Sequence, residues 1–236
     1  MELLAAGCLS EQQNQLFASV LDWLHIEHQA LVVAAEPTAA NIIYMCGLPT
    51  GQNLDRWRPL AAPVMAAPRY RDEPIYFSDI ICRPGLENLS WAQVKGARIG
   101  YNERVSFSGW AVLMIELERL GIEPSEFDWV ETGSHRNSIA AVESGVVDLA
   151  AVDSIVLTLE GFTGATLATL GPWPAPPISV SNELQQEADS IATILTSMHT
   201  HQSGRQLLAE CGVARFQAVD RESYRSLARI VGRLVA

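Results

Sequence analysis

The sequence predicts an α/β protein, because strand-like and helix-like segments alternate through the middle third of the chain. Short runs of β-branched, aromatic and other apolar residues at 98–101, 127–131 and 146–152 are typical of strands. The segments between them, 106–121 and 138–144, have apolar residues at helical spacing and end at or just before a glycine. This pattern is typical of short helices. The alternation indicates a sheet with helices on both faces.

The chain on either side of this region contains helices and strands of its own. Residues 1–24 are expected to begin with a short strand, after which Ser10 precedes an amphipathic pattern that predicts a helix as far as Leu24. Further strands are predicted in the first third at 30–35, 39–45, 60–67 and 75–82. After a short strand at 178–180, the pattern is helical at 184–198, 204–210 and 221–234.

The order of these elements predicts two lobes. A proline–glycine pair breaks the chain after residue 83, and residues 171–177 are its densest stretch of proline and glycine. We therefore expect the chain to leave one lobe and return to it near these two breaks. The expected lobes are residues 1–82 with 179–236, and an inserted lobe of residues 83–178.

The charge of the chain argues against nucleic acid as a partner. Its 236 residues carry a net charge of −11, and the 16 lysines and arginines form no cluster. A nucleic-acid site needs a basic stripe. A negative protein also repels an anion at long range, so local N–H and hydroxyl donors would have to hold an anionic ligand.

Sequence motifs for cofactors, metals and covalent catalysis are absent. The four cysteines are far apart and form no CxxC pair, which argues against zinc. There is no glycine-rich dinucleotide or phosphate loop and no serine elbow. We therefore expect no cofactor, no metal and no catalysis.

The sequence contains neither a membrane span nor an export signal. No apolar run reaches the roughly 18 residues that a span needs, and the N-terminus lacks a basic region followed by a long apolar one. As the sequence stands, we expect a cytoplasmic protein. If a leader has been removed, the expectation becomes a periplasmic one.

The most informative stretch is Ser106-Phe107-Ser108-Gly109, where a loop meets the start of a predicted helix. A helix N-terminus has unpaired N–H groups and the positive end of the helix dipole, so it favours an anion. Two hydroxyl groups beside those N–H groups would add donors. The alternative is that a serine serves only as the N-cap of the helix.

Two other polar residues also follow predicted strands. His135 lies between a strand and the next helix, and it either hydrogen-bonds an oxyanion or is an exposed loop residue. Asp153 follows the strand 146–152, at the carboxyl end where open α/β sheets bind ligands. Its carboxylate either accepts a hydrogen bond from a ligand that keeps a proton, and so rejects fully deprotonated anions, or caps the helix that follows.

Two tyrosines lie near strand ends of the expected first lobe. Tyr44 lies near the end of the apolar run 39–45, and Tyr76 lies near the start of the strand 75–82. Each either closes over a ligand or packs in the core, which is the commoner role for a single aromatic residue.

Five short motifs occur in a definite order over about residues 40–180. They are Cys46-Gly47-Leu48-Pro49, Pro74-Ile75-Tyr76-Phe77-Ser78-Asp79, Tyr101-Asn102-Glu103 with Ser106-x-Ser108-Gly109, Gly133-Ser134-His135-x-x-Ser138-Ile139, and Val147-Asp148-Leu149-Ala150-Ala151-Val152-Asp153-Ser154. Together they resemble the phosphate-, phosphite- and phosphonate-binding proteins of ABC transporters, which have the type 2 periplasmic-binding fold.

This resemblance implies two α/β lobes with a ligand cleft between them, which closes on a small tetrahedral oxyanion. The implied protein is a monomeric solute-binding protein without catalysis, whose partners are a small anionic ligand and an ABC transporter permease. The residues that match the family's binding positions are Ser106, Phe107 (through its N–H), Ser108, His135, Asp153, Tyr76 and Tyr44.

The sequence departs from the family at Phe107, where a polar residue is usual. The serine loop therefore lacks one side-chain donor, and a second hypothesis stays open. It is a cytoplasmic enzyme or binding protein of the same fold that acts on a small heterocycle, such as a thiamine pyrimidine precursor. In that case the Phe107 ring would stack on the ligand. A sensor that has lost transport is a third hypothesis, which the sequence does not separate from the first.

Overall fold

The computed structural model describes residues 1–234 and contains two compact units. The first unit consists of Met1–Ile75 and Pro174–Ile230, and the second consists of Tyr76–Trp173 with the helix residues from Val231. The predicted lobe boundaries, after residues 82 and 178, lie a few residues further along the chain. The difference arises because Ser78–Cys82 pair with a strand of the second unit.

The strands, numbered along the chain, form two sheets. The first unit contains β1 (Glu2–Cys8), β2 (Leu31–Ala34), β3 (Ile42–Met45), β4 (Trp57–Met65), β10 (Ile178–Ser181) and β11 (Val213–Ala218). The second unit contains β5 (Ile75–Cys82), β6 (Arg98–Tyr101), β7 (Asp128–Glu131), β8 (Leu149–Asp153) and β9 (Thr166–Pro174).

The helices cover these sheets. Those of the first unit are α1 (Glu11–His28), α2 (Gly47–Gln52), α6 (Ala188–Ser197), α7 (Gln202–Glu210) and most of α8 (Arg221–Leu234). Those of the second unit are α3 (Val112–Leu120), α4 (His135–Glu143) and α5 (Ser154–Leu159), with a π-helical turn at Phe107–Ala111 directly before α3. Among residues 1–234, no helix has both the length and the apolar character needed to cross a membrane.

The sheet of the first unit has the strand order β11-β4-β10-β3-β1-β2. Strand β1 runs parallel to β2 and β3, whereas β10 runs antiparallel to β3 and β4. Helix α1 begins as the sequence predicts, because the Ser10 hydroxyl accepts a hydrogen bond from the Gln13 N–H at 3.3 Å.

The sheet of the second unit has the order β7-β6-β8-β5-β9. Strand β6 is parallel to β7 and β8, and β5 is antiparallel to β8. The carboxyl ends of β6, β7 and β8 therefore meet at one edge of the sheet, together with the amino end of β5. We call this edge the upper edge of the second unit.

Helices pack on both faces of this second sheet, which confirms the predicted arrangement. On one face, Ile80 of β5 lies in a buried cluster with Leu113 and Leu117 of α3. On the other face, Ile81 lies in a cluster with Ile139 of α4 and further residues of α5. Neighbouring residues of a strand point to opposite faces, so β5 contributes to both clusters.

A buried carboxylate ties the lower part of this sheet together. Asp148 accepts hydrogen bonds from the Arg98 backbone N–H at 2.8 Å and from Arg98 Nη2 at 3.0 Å, and Arg83 Nη2 lies 2.7 Å from Asp148 Oδ1. The Arg98 hydrogen bonds lower the pKa of Asp148 from 3.8 to about 2. The charged carboxylate therefore stabilises the fold at neutral pH.

Two strands were not predicted, and both lie at a sheet edge. Strand β9 includes Pro172 and Pro174, within the stretch read as a break. An edge strand tolerates proline because one side of it makes no ladder hydrogen bonds. Strand β11 is a short segment between two helices.

The prediction that helix α4 begins near Ser138 was also wrong, since α4 begins at His135.

Candidate functional site

The predicted helix start at Ser106 is present in the structure. The Ser106 side chain accepts a hydrogen bond from the Gly109 N–H at 3.1 Å, so it is the N-cap of the π-helical turn that continues into α3. The first N–H groups of a helix have no acceptor within the helix, and here they belong to Phe107 and Ser108. The capping alternative is therefore observed, and it orients these N–H groups at the same time.

The Phe107 side chain is directed into the core of the second unit. It is fully buried, and its ring packs edge-on against the Trp173 ring with centroids 4.9 Å apart. The packing of the aromatic ring in the core therefore holds the π-helical turn in place. This leaves the backbone N–H as the polar group that Phe107 contributes.

Ser108 pairs with His135. Ser108 Oγ lies 3.0 Å from His135 Nε2, and the two residues are only 4% and 8% exposed. His135 was expected in a loop, but it is the first residue of α4, whose N-cap Ser134 accepts from the Asn137 N–H at 3.1 Å. Two helix N-termini therefore approach each other at this pair, and both dipoles favour negative charge there.

Burial determines the protonation state of His135. It lowers the pKa of the imidazole from 6.5 to about 4, so the ring is neutral at pH 7. Its second nitrogen, Nδ1, is buried and has no hydrogen-bond partner among the described residues. A neutral imidazole presents one donor and one acceptor, and one of these is therefore unused at Nδ1.

Gly109 allows neighbouring segments of the chain to approach each other closely. A Cβ atom on Gly109 would lie 1.8 Å from Asn102 Oδ1 and 3.3 Å from the His135 ring. Asn102 directly follows β6, and its buried Oδ1 has no partner among residues 1–234. No role was predicted for Asn102 from the sequence, although the residue lies within the motif Tyr101-Asn102-Glu103.

Asp153 is the last residue of β8 and the N-cap of α5. Its Oδ1 accepts the Ile155 N–H at 2.7 Å, which is the capping role that the sequence left open. The residue is buried at the upper edge, and its strand packs against the π-helical turn. A carboxylate has two oxygens, and each of them can accept more than one hydrogen bond.

The two tyrosines belong to different units. Tyr76 is buried in the second unit, not in the first as the sequence analysis expected, because β5 pairs with β8. Tyr44 is fully buried in β3 of the first unit, and the centroid of its ring lies 5.6 Å from the centroid of the Phe17 ring. Within the second unit, the structure brings Ser106, Phe107, Ser108 and His135 into one cluster.

Comparison with known proteins defines the class of the molecule. Over 98% of both chains, the structure superposes with a TM-score of 0.78 on PhnD1 of Prochlorococcus marinus, solved with methylphosphonate, at 15% identity. A binding protein of an ABC phosphonate transporter from Pseudomonas aeruginosa gives 0.78 at 18% identity, over 98% of this chain and 87% of that one. A Xanthomonas citri protein solved with ATP gives 0.75 at 15% identity, over 98% of each chain. The fold is that of type 2 periplasmic-binding proteins.

The sequence itself gives the family. The profile described as "ABC transporter, phosphonate, periplasmic substrate-binding protein" matches residues 27–224. The chain belongs to this family, as the five motifs had indicated. The family consists of substrate-binding components of transporters, not of enzymes.

Proposed function

We propose that this protein binds a small phosphorus oxyanion at the upper edge of the second unit and delivers it to an ABC transporter permease. The observation that carries the proposal is the Ser108–His135 pair, buried at the meeting point of two helix N-termini. The oxyanion would accept from the N–H groups of Phe107 and Ser108 and from the Ser108 hydroxyl. Family membership supports the phosphonate class of ligand.

The neutral imidazole sets which hydrogen bonds the pair can make. When Nε2 carries the proton, it donates to Ser108 Oγ, and the serine hydroxyl is free to donate to the anion. Nδ1 of His135 is then an acceptor, suited to a proton that the ligand keeps. In the other tautomer the serine donates to Nε2, and the Nδ1–H is the donor toward the ligand. Either way, the pair offers the anion one donor without placing a charge in the site.

Neutral donors suit a protein whose net charge is −11. The overall field does not attract an anion, so affinity has to come from short-range hydrogen bonds and helix dipoles. A hydrogen bond to a charged group contributes about 1.5–3 kcal/mol. Several such bonds at one helix start are sufficient for tight binding of a small anion.

Asp153 would select for ligands that keep a proton. The carboxylate repels an anion unless a P–OH group donates a hydrogen bond to it. Sulfate is fully deprotonated at neutral pH and has no such proton. We therefore expect phosphorus oxyanions to bind and sulfate to be rejected, and Asp153→Asn to weaken this discrimination. Asparagine keeps the helix cap while removing the charge.

The orientation of Phe107 supports the oxyanion over the heterocycle. The heterocycle hypothesis required the ring to stack on a ligand, but the ring packs on Trp173 in the core. No observation at this site favours the heterocycle or catalysis.

The experiment is isothermal titration calorimetry of the protein with methylphosphonate, phosphite, phosphate and sulfate. Ser108→Ala and His135→Gln should each weaken binding of the preferred phosphorus oxyanion roughly tenfold to hundredfold. Ser10→Ala is the matched control, because it removes a serine cap from α1 in the first unit. It should reduce stability but keep the affinity.

Unchanged affinity in both Ser108→Ala and His135→Gln would refute the assignment of the site. Binding of sulfate as tightly as the phosphorus ligands would refute the role of Asp153.

A further inference from the structure

Ser78 is a buried hydroxyl that the proposed site does not use. Its side chain is 0% exposed, and its Oγ has no hydrogen-bond partner among the described residues. Burying an unsatisfied hydroxyl costs about 1–3 kcal/mol. The position of this residue in the fold therefore calls for an explanation.

Ser78 lies at the upper edge, on the face that carries α3. In the antiparallel pair of β5 and β8, it is directly opposite Asp153, and such cross-strand neighbours have Cβ atoms about 4.5–5.5 Å apart. Ile80, two residues along the strand, packs in the cluster of Leu113. Residues two apart share a face, so Ser78 faces the helix that begins with the serine turn.

Trp173 adds a second unused polar group on this face. Its ring contacts the Phe107 ring and packs against the cluster that contains Ile80 and Leu113. The indole Nε1 is buried and has no partner among residues 1–234. An indole N–H donates only and cannot accept.

These three side chains together define the chemistry of a ligand group. Trp173 Nε1 donates to an acceptor, Ser78 either donates or accepts, and the charge of Asp153 disfavours a second anionic group. A neutral hydroxyl is both donor and acceptor. An ammonium group donates but leaves the Trp173 N–H unpaired, a carboxylate is repelled by Asp153, and a methyl group leaves every polar group without a partner.

We propose that Ser78, Trp173 and Asp153 form a subsite for a hydroxyl group on the organic substituent of a phosphonate. The preferred ligand class is then a hydroxyalkyl phosphonate. This inference rests on the proposed function, because the phosphonate group itself would be held by the serine turn and His135. The subsite determines specificity within that class.

The test compares three one-carbon phosphonates by calorimetry: methylphosphonate, hydroxymethylphosphonate and aminomethylphosphonate. We expect hydroxymethylphosphonate to bind roughly tenfold more tightly than methylphosphonate, as one or two net hydrogen bonds would give. We also expect it to bind more tightly than the amino compound. The affinity ratio of the hydroxy to the methyl compound is the readout.

Ser78→Ala and Trp173→Phe should each bring this ratio close to one. Ser179→Ala is the matched control, because Ser179 is an equally buried serine without a hydroxyl partner, in the sheet of the first unit. It should keep the ratio of the wild-type protein. Circular dichroism of each variant checks that it is folded, and Ser78→Ala alone decides the test if Trp173→Phe does not fold.

The outcomes separate the two proposals. If both compounds bind with equal affinity, or if the amino compound binds best, the hydroxyl subsite is refuted and the proposed function stands. If neither compound binds, the subsite is refuted, and the proposed function is refuted as well if phosphite and phosphate also fail to bind. A wild-type preference that survives in Ser78→Ala also overturns the subsite.

Discussion

His135 should make the stability of the folded protein depend on pH, and His135→Gln should remove that dependence. Burial lowers the pKa of the folded imidazole from 6.5 to about 4. Between these two values, the unfolded chain binds more protons at this residue than the folded protein does. The folded state therefore loses stability as the pH falls from 6.5 to 4, and above 6.5 the penalty is absent.

The size of the effect follows from the two pKa values. Each pKa unit is equivalent to about 1.4 kcal/mol, so the full loss below pH 4 is about 3 kcal/mol. At pH 5 most of this loss is already present, about 2 kcal/mol relative to pH 7. Glutamine has an amide at a reach similar to that of Nε2 and does not titrate, so the variant should lack this loss.

Urea unfolding at pH 7 and pH 5 measures the difference. The wild-type free energy of unfolding should fall by about 2 kcal/mol more than that of His135→Gln over this interval. Ser108→Ala should behave like the wild type, because burial, and not the serine hydroxyl, shifts the pKa. Parallel losses in wild type and His135→Gln would refute the reasoning, as would an NMR titration of His135 with a midpoint near its ordinary value.

Two further variants test how the site and its sheet are held. Gly109→Ala should displace Asn102 and press on His135, since the new Cβ would lie 1.8 Å from Asn102 Oδ1. A thermal melt should show a destabilisation of about 1–3 kcal/mol, and calorimetry should show weaker methylphosphonate binding; unchanged values in both would contradict the close packing. Asp148→Asn should lower the free energy of unfolding at pH 7 by about 2 kcal/mol, because Arg98 holds the carboxylate pKa near 2. Urea titrations should show this advantage of the wild type vanishing as the pH falls from 3.8 to 2, and a constant difference would contradict it.

Local patterns predicted the elements that carry the site. The strand 98–101 and the helix 221–234 have the predicted bounds, and Gly121 ends α3 in a left-handed conformation. The Ser106 cap was also predictable, because a capping serine acts on residues only three positions away. These features depend on neighbours in sequence, which is the information that a single sequence contains.

The features of the site that could not be predicted depend on contacts between residues far apart in the sequence. The contact between Ser108 and His135 joins residues 27 positions apart, and it converts an expected loop histidine into a buried neutral one. The importance of Asn102 and Ser78 comes from close approaches across strands and turns, which leave no periodic signal. Tyr76 was assigned to the wrong unit because the pairing of β5 with β8 decides its place.

A crystal structure of the protein with methylphosphonate tests the central claim most directly. We predict that the phosphonate oxygens lie within about 3 Å of Ser108 Oγ and of the N–H groups of Phe107 and Ser108. We also predict His135 Nδ1 at hydrogen-bond distance from the ligand or from a water molecule bound to it. A methylphosphonate bound elsewhere, with the Ser108–His135 pair making no contact to it, would contradict the account.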